Sequence, residues 1–236
     1  VIDTLRAAFA RDAFVDITAA IPADWRMHVN AEVTAALDAY GVRRDVRVAA
    51  TGASPRRYRV AGRDVLAQSC PWSASFYRSD YLASLTAAIA GEPIVPVPYV
   101  PEELIATRLE FAGDTHGWHW DDYGFAVVWV LRAPPPHDGA MLEYISGVPW
   151  CKAEPRLDAI LAERAPARAH VASGTVYLLR ADTTLHRVAP LQRSVLRDAL
   201  CFSYAGEREL SREVSHETLD VILQGAASPY HRRTRA

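Results

Sequence analysis

One short segment of the 236-residue chain concentrates side chains that can bind a metal: Gly113-Asp-Thr-His-Gly-Trp-His-Trp-Asp-Asp-Tyr123. His119 and Asp121 lie two apart, just ahead of an apolar run that begins at Phe125. In an extended chain, residues two apart point to the same side, so an imidazole and a carboxylate converge on one ion. A third ligand has to come from another strand. His186 is the candidate, at the end of Gly174-Thr-Val-Tyr-Leu-Leu-Arg-Ala-Asp-Thr-Thr-Leu-His186, which reads as strand, turn, ligand. Two histidines and one carboxylate leave three coordination positions open, enough for a non-haem iron(II) centre to take a co-substrate and O2 together. Zinc prefers a tetrahedral set richer in His or Cys. His116 and His119 are three apart, as a zinc pair can be, but no cysteine pair supports such a site.

Eleven residues beyond His186, Arg197 opens the run Arg197-Asp-Ala-Leu-Cys-Phe-Ser-Tyr204. Alternation puts Arg197, Ala199, Cys201 and Ser203 on one face. An arginine at the inner end of such a strand can clamp a carboxylate through two parallel N–H···O bonds. Arg187, beside the ligand, and Arg193, in a loop, are competitors. His116 reads equally as a substrate contact or a loop histidine. Arg56, Arg57 and Arg59 read as a solvated hairpin face, although one of them could meet a substrate carboxylate. Trp118, Trp120 and Trp129 read as core or pocket wall, and Cys201 as a small apolar core residue.

The elements that must position these groups fall into two parts. Asp3 to Arg11 reads as a helix and Phe14-Val-Asp-Ile17 as a strand. Pro22 opens a helix toward Tyr40 that Gly41 stops. Tyr58 to Leu66 reads as a hairpin turning at Gly62, and Ser79 to Ala90 as a helix ended by Gly91. After the prolines at 93, 96, 98 and 101, short strands are predicted at Ile105–Phe111, Phe125–Leu131, Ala140–Ile145, Thr175–Leu179 and Leu196–Tyr204. A long helix or loop, Pro155 to Ala169, interrupts them. Evenly spaced short strands predict a sandwich or barrel, with the early helices packed on one outer face. The chain is expected to form one domain over 1–236, with a helical part to about 95, a β core over about 96–206 and a C-terminal tail that frays from His231 to Ala236.

Composition bounds the function. Half the residues are apolar and 23% are charged, which is globular. A net charge of −2 argues against a nucleic-acid coat and against a polybasic membrane binder. Lys152 is the single lysine among the 26 basic residues. Three unspaced cysteines, with no membrane span and no leader pattern, give the expectation of a soluble cytoplasmic protein. A homodimer stays open.

The set His119-Trp-Asp121, His186 and Arg197 resembles the Fe(II)/2-oxoglutarate-dependent oxygenases, as do Gly139-Ala-Met-Leu-Glu-Tyr-Ile145 and Leu185-His-Arg-Val-Ala-Pro190. The similarity covers roughly residues 100–205. It implies an α+β, mainly β fold whose core is a double-stranded β-helix, or jelly roll, with Fe(II), 2-oxoglutarate and O2 as cofactor and co-substrates. Within that family Thr115-His-Gly-Trp-His-Trp120 looks closest to a group acting on free amino acids, which includes carrier-independent halogenases. In halogenating members a glycine stands where this chain has Asp121, so the resemblance implies hydroxylation. It also implies His119, Asp121 and His186 as iron ligands and Arg197 as the 2-oxoglutarate clamp. His116, Asp122 and Glu102 would face the substrate, with Glu103 as the alternative to Glu102. Cys201 stands where lysine-acting relatives carry a polar contact, which puts lysine itself in doubt. The expected reaction is hydroxylation of an unactivated C–H of a small polar substrate, a free amino acid. The alternatives are the same cofactor chemistry on a carrier-bound or natural-product intermediate (hydroxylation, desaturation or cyclisation) and a non-catalytic metal-binding jelly-roll module.

Overall fold

The computed structural model describes residues 1–223; the tail expected at His231 to Ala236 lies outside them. The chain begins with α1 (Ile2–Asp12), β1 (Phe14–Asp16) and α2 (Ala23–Tyr40). A hairpin of β2 (Val42–Val48) and β3 (Ser54–Ala61) follows, then three helices, α3 (Arg63–Ser69), α4 (Pro71–Tyr77) and α5 (Asp80–Ala90). The β-rich part runs through β4 (Ile94–Pro96), β5 (Leu104–Leu109), β6 (Thr115–His119), β7 (Phe125–Arg132) and β8 (Leu142–Ser146). Next come α6 (Leu157–Glu163), β9 (Ala167–Ala169), β10 (Val176–Arg180), β11 (Thr184–Val188), β12 (Arg197–Gly206) and α7 (Glu217–Leu223).

Every strand pairing is antiparallel. The strand order is β1-β10-β7-β12-β5-β3-β6-β11-β8-β9, with β2 added to β3 and β4 to β12. The sheet curls on itself, as a jelly roll does. Leu142 of β8 packs against Ala126, Val130 and Tyr177 from the opposite end of the strand order. The curl leaves a cavity between the two layers, lined from β3, β5, β6, β7, β8, β10, β11 and β12.

Strands β7 and β12 are buried on both faces, and alternation divides the labour. Val127, Trp129 and Leu131 of β7 and Leu200, Phe202 and Tyr204 of β12 face outward, into the largest apolar cluster. Val29, Val33 and Leu37 of α2, Phe76 of α4 and Leu82 and Ile89 of α5 cover them there. The other face of β12 presents Arg197, Ala199, Cys201 and Ser203 to the cavity. The helices therefore form one outer layer, and the apolar surface it buries fixes β12, which carries Arg197, together with its neighbour β7.

The start signals of α2 and α5 are local and the predicted ranges hold. Ser79 caps α5 by accepting from the Leu82 amide, and Gly91 ends it in the left-handed region at φ 77°. The expected hairpin at Tyr58–Leu66 does not form. Gly62 is the residue before α3, and Tyr58 lies inside β3, whose hairpin partner is the preceding strand β2. Leu66 instead packs as the buried face of a short helix. The stretch Pro155–Ala169 resolves into α6 and the edge strand β9.

Candidate active site

Strand β6 carries one metal-ligand candidate, His119, and its register with β11 is broken. His186 of β11 pairs with His119 and Val188 with His116, so two steps on β11 oppose three on β6. That one-residue excess is a β-bulge, and it turns His116 and His119 to the same face despite their odd spacing. Their rings stack with centroids 3.9 Å apart. Gly117 sits in the bulge because β3 runs directly over it. A Cβ there would fall on the Ser54 hydroxyl, 2.5 Å from the Pro55 carbonyl oxygen and 3.0 Å from Pro55 Cδ.

His119, Asp121 and His186 each bring one donor atom into a cluster no wider than 4.8 Å. Asp121 Oδ1 lies 3.7 Å from His119 Nε2 and 3.9 Å from His186 Nε2. Both imidazoles are anchored from behind. His119 Nδ1 donates to the Gly117 carbonyl at 2.7 Å and His186 Nδ1 to the Thr184 carbonyl at 2.8 Å. A carbonyl can only accept, so the proton is on Nδ1 and the Nε2 lone pair faces the carboxylate. Burial pushes the His186 pKa down to about 4 and the His119 pKa well down too, which keeps both rings neutral. Burial, together with the neighbouring Asp122 charge, pushes Asp121 up to about 7. Two oriented neutral imidazoles and a carboxylate that burial leaves short of cationic partners form a donor set that a divalent metal satisfies.

Arg197 is 3% exposed, and its guanidinium approaches the Tyr177 hydroxyl. Its competitors are occupied elsewhere: Arg193 pairs with Asp138 at 2.6 Å and Arg187 with Glu143 at 2.6 Å. No carboxylate among the described residues forms an ion pair with Arg197.

A second buried guanidinium corrects the sequence reading. Arg56 is not on a solvated hairpin face: it is wholly buried and lines the same cavity. Its partners are neutral: the Ser54 carbonyl and hydroxyl, the Pro55 carbonyl and the Thr51 hydroxyl, while its Nε has none. The signal was present in the sequence. Arg56 shares the inward parity of Ser54, Tyr58 and Val60, and Arg57 and Arg59 have the outward parity.

His116, Glu102 and Asp122 all reach the cavity, as do Trp120, Trp150 and Cys201. Glu103, the alternative to Glu102, is engaged by Arg63 at 3.0 Å. Glu102 is 6% exposed, and its Oε2 has no hydrogen-bond partner. Burial raises its pKa well above the ordinary range, and the Asp122 charge adds to the rise. Two groups here escaped the sequence reading. Lys152 places Nζ 2.5 Å from Asp122 Oδ1, and His216 places Nδ1 3.3 Å from Asp122 Oδ2. Both come from loops with no periodic pattern. Thr218, Leu219 and Ile222 of α7 complete the cavity wall.

A family model described as Halogenase D matches residues 1–224. Among solved structures, the fold is similar to the non-heme alpha ketoglutarate dependent epimerase SnoN from nogalamycin biosynthesis, at 19% identity and TM-score 0.61, covering 87% of this chain and 82% of that one. AviO1 from Streptomyces viridochromogenes Tue57 gives 18% identity and TM-score 0.63, covering 88% and 96%. A prolyl hydroxylase from Trichoplax adhaerens gives 14% identity and TM-score 0.62, covering 90% and 93%. At such identities the likeness is one of fold. No curated protein sequence matches the chain. No helix among the described residues is long and apolar enough to cross a membrane.

Proposed function

The chain belongs to the Halogenase D family, and from that premise we propose that it is an Fe(II)/2-oxoglutarate-dependent oxygenase that hydroxylates a small zwitterionic amino acid. The observation that carries the reading is a pair of buried guanidinium groups, Arg197 and Arg56, in one cavity with the His119–Asp121–His186 cluster. Neither forms an ion pair with a carboxylate of the described residues. A buried cation left without a counter-ion is costly, so each calls for an anionic ligand. An oxygenase of this kind acting on an amino acid brings two such ligands, a co-substrate dicarboxylate and a substrate carboxylate.

His119, Asp121 and His186 would hold the iron. Iron held there would supply the redox chemistry in which O2 is the oxidant: one oxygen atom goes to 2-oxoglutarate, which is oxidised to succinate and CO2, and the other to an unactivated C–H bond of the substrate. Arg197, steadied by Tyr177, takes the distal carboxylate of 2-oxoglutarate through paired N–H···O bonds. Arg56 and His116 neighbour each other across β3 and β6, at paired register, and receive the substrate carboxylate. Glu102 offers its unpartnered oxygen to the substrate ammonium. Trp120 and Trp150, with ring centroids 5.9 Å apart, and Thr218, Leu219 and Ile222 of α7 wall the cavity. Placement is the protein's share of the catalysis, since an error of about 1 Å can cost on the order of 100-fold in rate.

Asp121 decides the outcome in favour of hydroxylation. It would give a bound metal a negatively charged oxygen, and a halide would need that same place against that charge. The test is a panel of free amino acids incubated with the enzyme, Fe(II), 2-oxoglutarate and O2 and read by product mass. A gain of one oxygen with matching succinate is expected for at least one member, and His186→Ala should abolish it. Coupling confined to large or carrier-bound substrates, or a chlorinated main product, would overturn the reading.

A further inference from the structure

One carboxylate of the cavity wall, Asp122, already has a cation behind it, in an adjoining depression that shares Asp121, Asp122 and Trp150 with the cavity. Lys152 enters from the loop after Trp150 and places its ammonium 2.5 Å from Asp122 Oδ1. The contact is more than a chance surface pair. The same ammonium donates to the Ser215 carbonyl, lies 3.4 Å from the Ser215 hydroxyl and 3.8 Å from Glu217 Oε2, and sits 4.4 Å above the Trp150 ring centre. The Lys152 side chain is 23% exposed and Asp122 is nearly inaccessible at 4%. Four groups besides Asp122 therefore hold the ammonium in place, and a substrate would not displace it easily. The other oxygen of Asp122 is taken as well, by His216 Nδ1 at 3.3 Å. That leaves Glu102: Asp122 Oδ1 has no hydrogen bond but has the Lys152 ammonium as an ion-pair partner, whereas Glu102 Oε2, also without a hydrogen bond, has only the His216 ring at 3.9 Å.

The consequence is a charge count. If both carboxyl groups were open, the wall would invite two ammonium groups, those of a diamino acid. With Asp122 taken, one carboxyl remains for one ammonium. We propose that Lys152 is the specificity-determining residue of this cavity: as the built-in counter-ion of Asp122 it selects an α-amino acid with an uncharged side chain and rejects one with a cationic side chain. The residue type suits the task. Lys152 is the single lysine in a chain of arginines, and its compact ammonium lies between Asp122, Ser215 and the Trp150 ring. A second ammonium brought to Asp122 from the cavity side would find the carboxylate already balanced by Lys152, with a like charge behind it, which is strongly unfavourable.

The inference rests on the amino-acid reading above, and its test separates the two. Enzyme loaded with Fe(II) and 2-oxoglutarate is kept free of O2 and titrated by calorimetry with matched pairs: norleucine against ornithine, and 2-aminoheptanoate against lysine. Each pair differs by a terminal methyl against an ammonium. Wild type should bind the neutral member at least about tenfold more tightly. Lys152→Met should lose or reverse that preference, and Lys152→Arg, which keeps the charge, should retain part of it. Wild type that favours ornithine or lysine would overturn the role of Lys152. So would an unchanged preference in a Lys152→Met protein that still binds 2-oxoglutarate normally. If no member of either pair binds wild type, the amino-acid reading itself falls and the inference falls with it.

Discussion

Arg197→Met is expected to act with opposite signs on the empty protein and on co-substrate binding. In the empty protein the guanidinium is 3% exposed, burial lowers its pKa, and the Tyr177 hydroxyl is its neutral partner. Methionine has similar length and no charge to desolvate. Replacing a poorly compensated buried charge by a well-packed apolar side chain should stabilise the empty protein by about 1–2 kcal/mol, a rise in Tm of about 2–8 °C for a chain of this size. Co-substrate binding loses two parallel charge-assisted hydrogen bonds at about 1.5–3 kcal/mol each. Together they correspond to roughly a hundredfold to ten-thousandfold in Kd. Metal binding should barely change, because Arg197 is not in the His119–Asp121–His186 cluster. Thermal melts with and without Fe(II) and 2-oxoglutarate, with calorimetry of 2-oxoglutarate binding in the absence of O2, read all three quantities. A variant that melts several degrees below wild type when empty would make the guanidinium a structural group. Wild-type co-substrate affinity would move the clamp to Arg56.

Two further outcomes follow from the same geometry. Gly117→Ala puts a methyl group 2.5 Å from the Pro55 carbonyl oxygen and should force β3 and β6 apart, costing roughly 1–3 kcal/mol of stability and most of the metal affinity, read by denaturant melts and metal titration; an alanine variant with normal stability and metal content would mean that the bulge is not pinned by β3. Asp121→Gly removes one ligand and its charge, so iron affinity and hydroxylation should both fall sharply while chloride gains access, with at most a trace of chlorinated product by mass in high chloride; undiminished hydroxylation would remove Asp121 from the ligand set.

What the sequence disclosed depended on whether a residue's role was set locally. The caps of α5 and the breaker after α2 are local, and those helices lie where Ser79, Gly91 and Gly41 put them. The inward set on β12 follows from period-2 alternation, and Arg197, Ala199, Cys201 and Ser203 do share the cavity. The hairpin at Gly62 failed because a glycine between apolar runs suits a helix start as well as a turn. Tertiary packing of Leu66 decided between them. Arg56 was misread because arginine is almost always solvated, and that prior outweighed the parity it shares with Tyr58 and Val60. The placing of His116 beside His119 needed a bulge, which single-strand periodicity cannot express. Lys152 and His216 lie in irregular segments, where contact with Asp122 is set by the path of the loop and leaves no pattern.

The family description and the ligand set point to different products, and physical chemistry says which to follow. A family model that spans residues 1–224 shows which family the chain belongs to. Fold and cavity do not fix a reaction's outcome, which depends on the few atoms at the reacting centre. Here that centre includes Asp121 Oδ1, within 3.9 Å of both Nε2 donors. A glycine at this position would leave room for an anion beside two neutral imidazoles. A carboxylate takes the room and supplies the anion. The same logic is proposed for the far wall, where Lys152, from outside the cavity, supplies Asp122 with the cation that a substrate ammonium would bring. In each case a side chain of the protein stands in for a ligand and so excludes that ligand. On the proposed reading Asp121 excludes halide and Lys152 excludes a second substrate ammonium, and both belong to the proposal of a hydroxylase of amino acids with uncharged side chains.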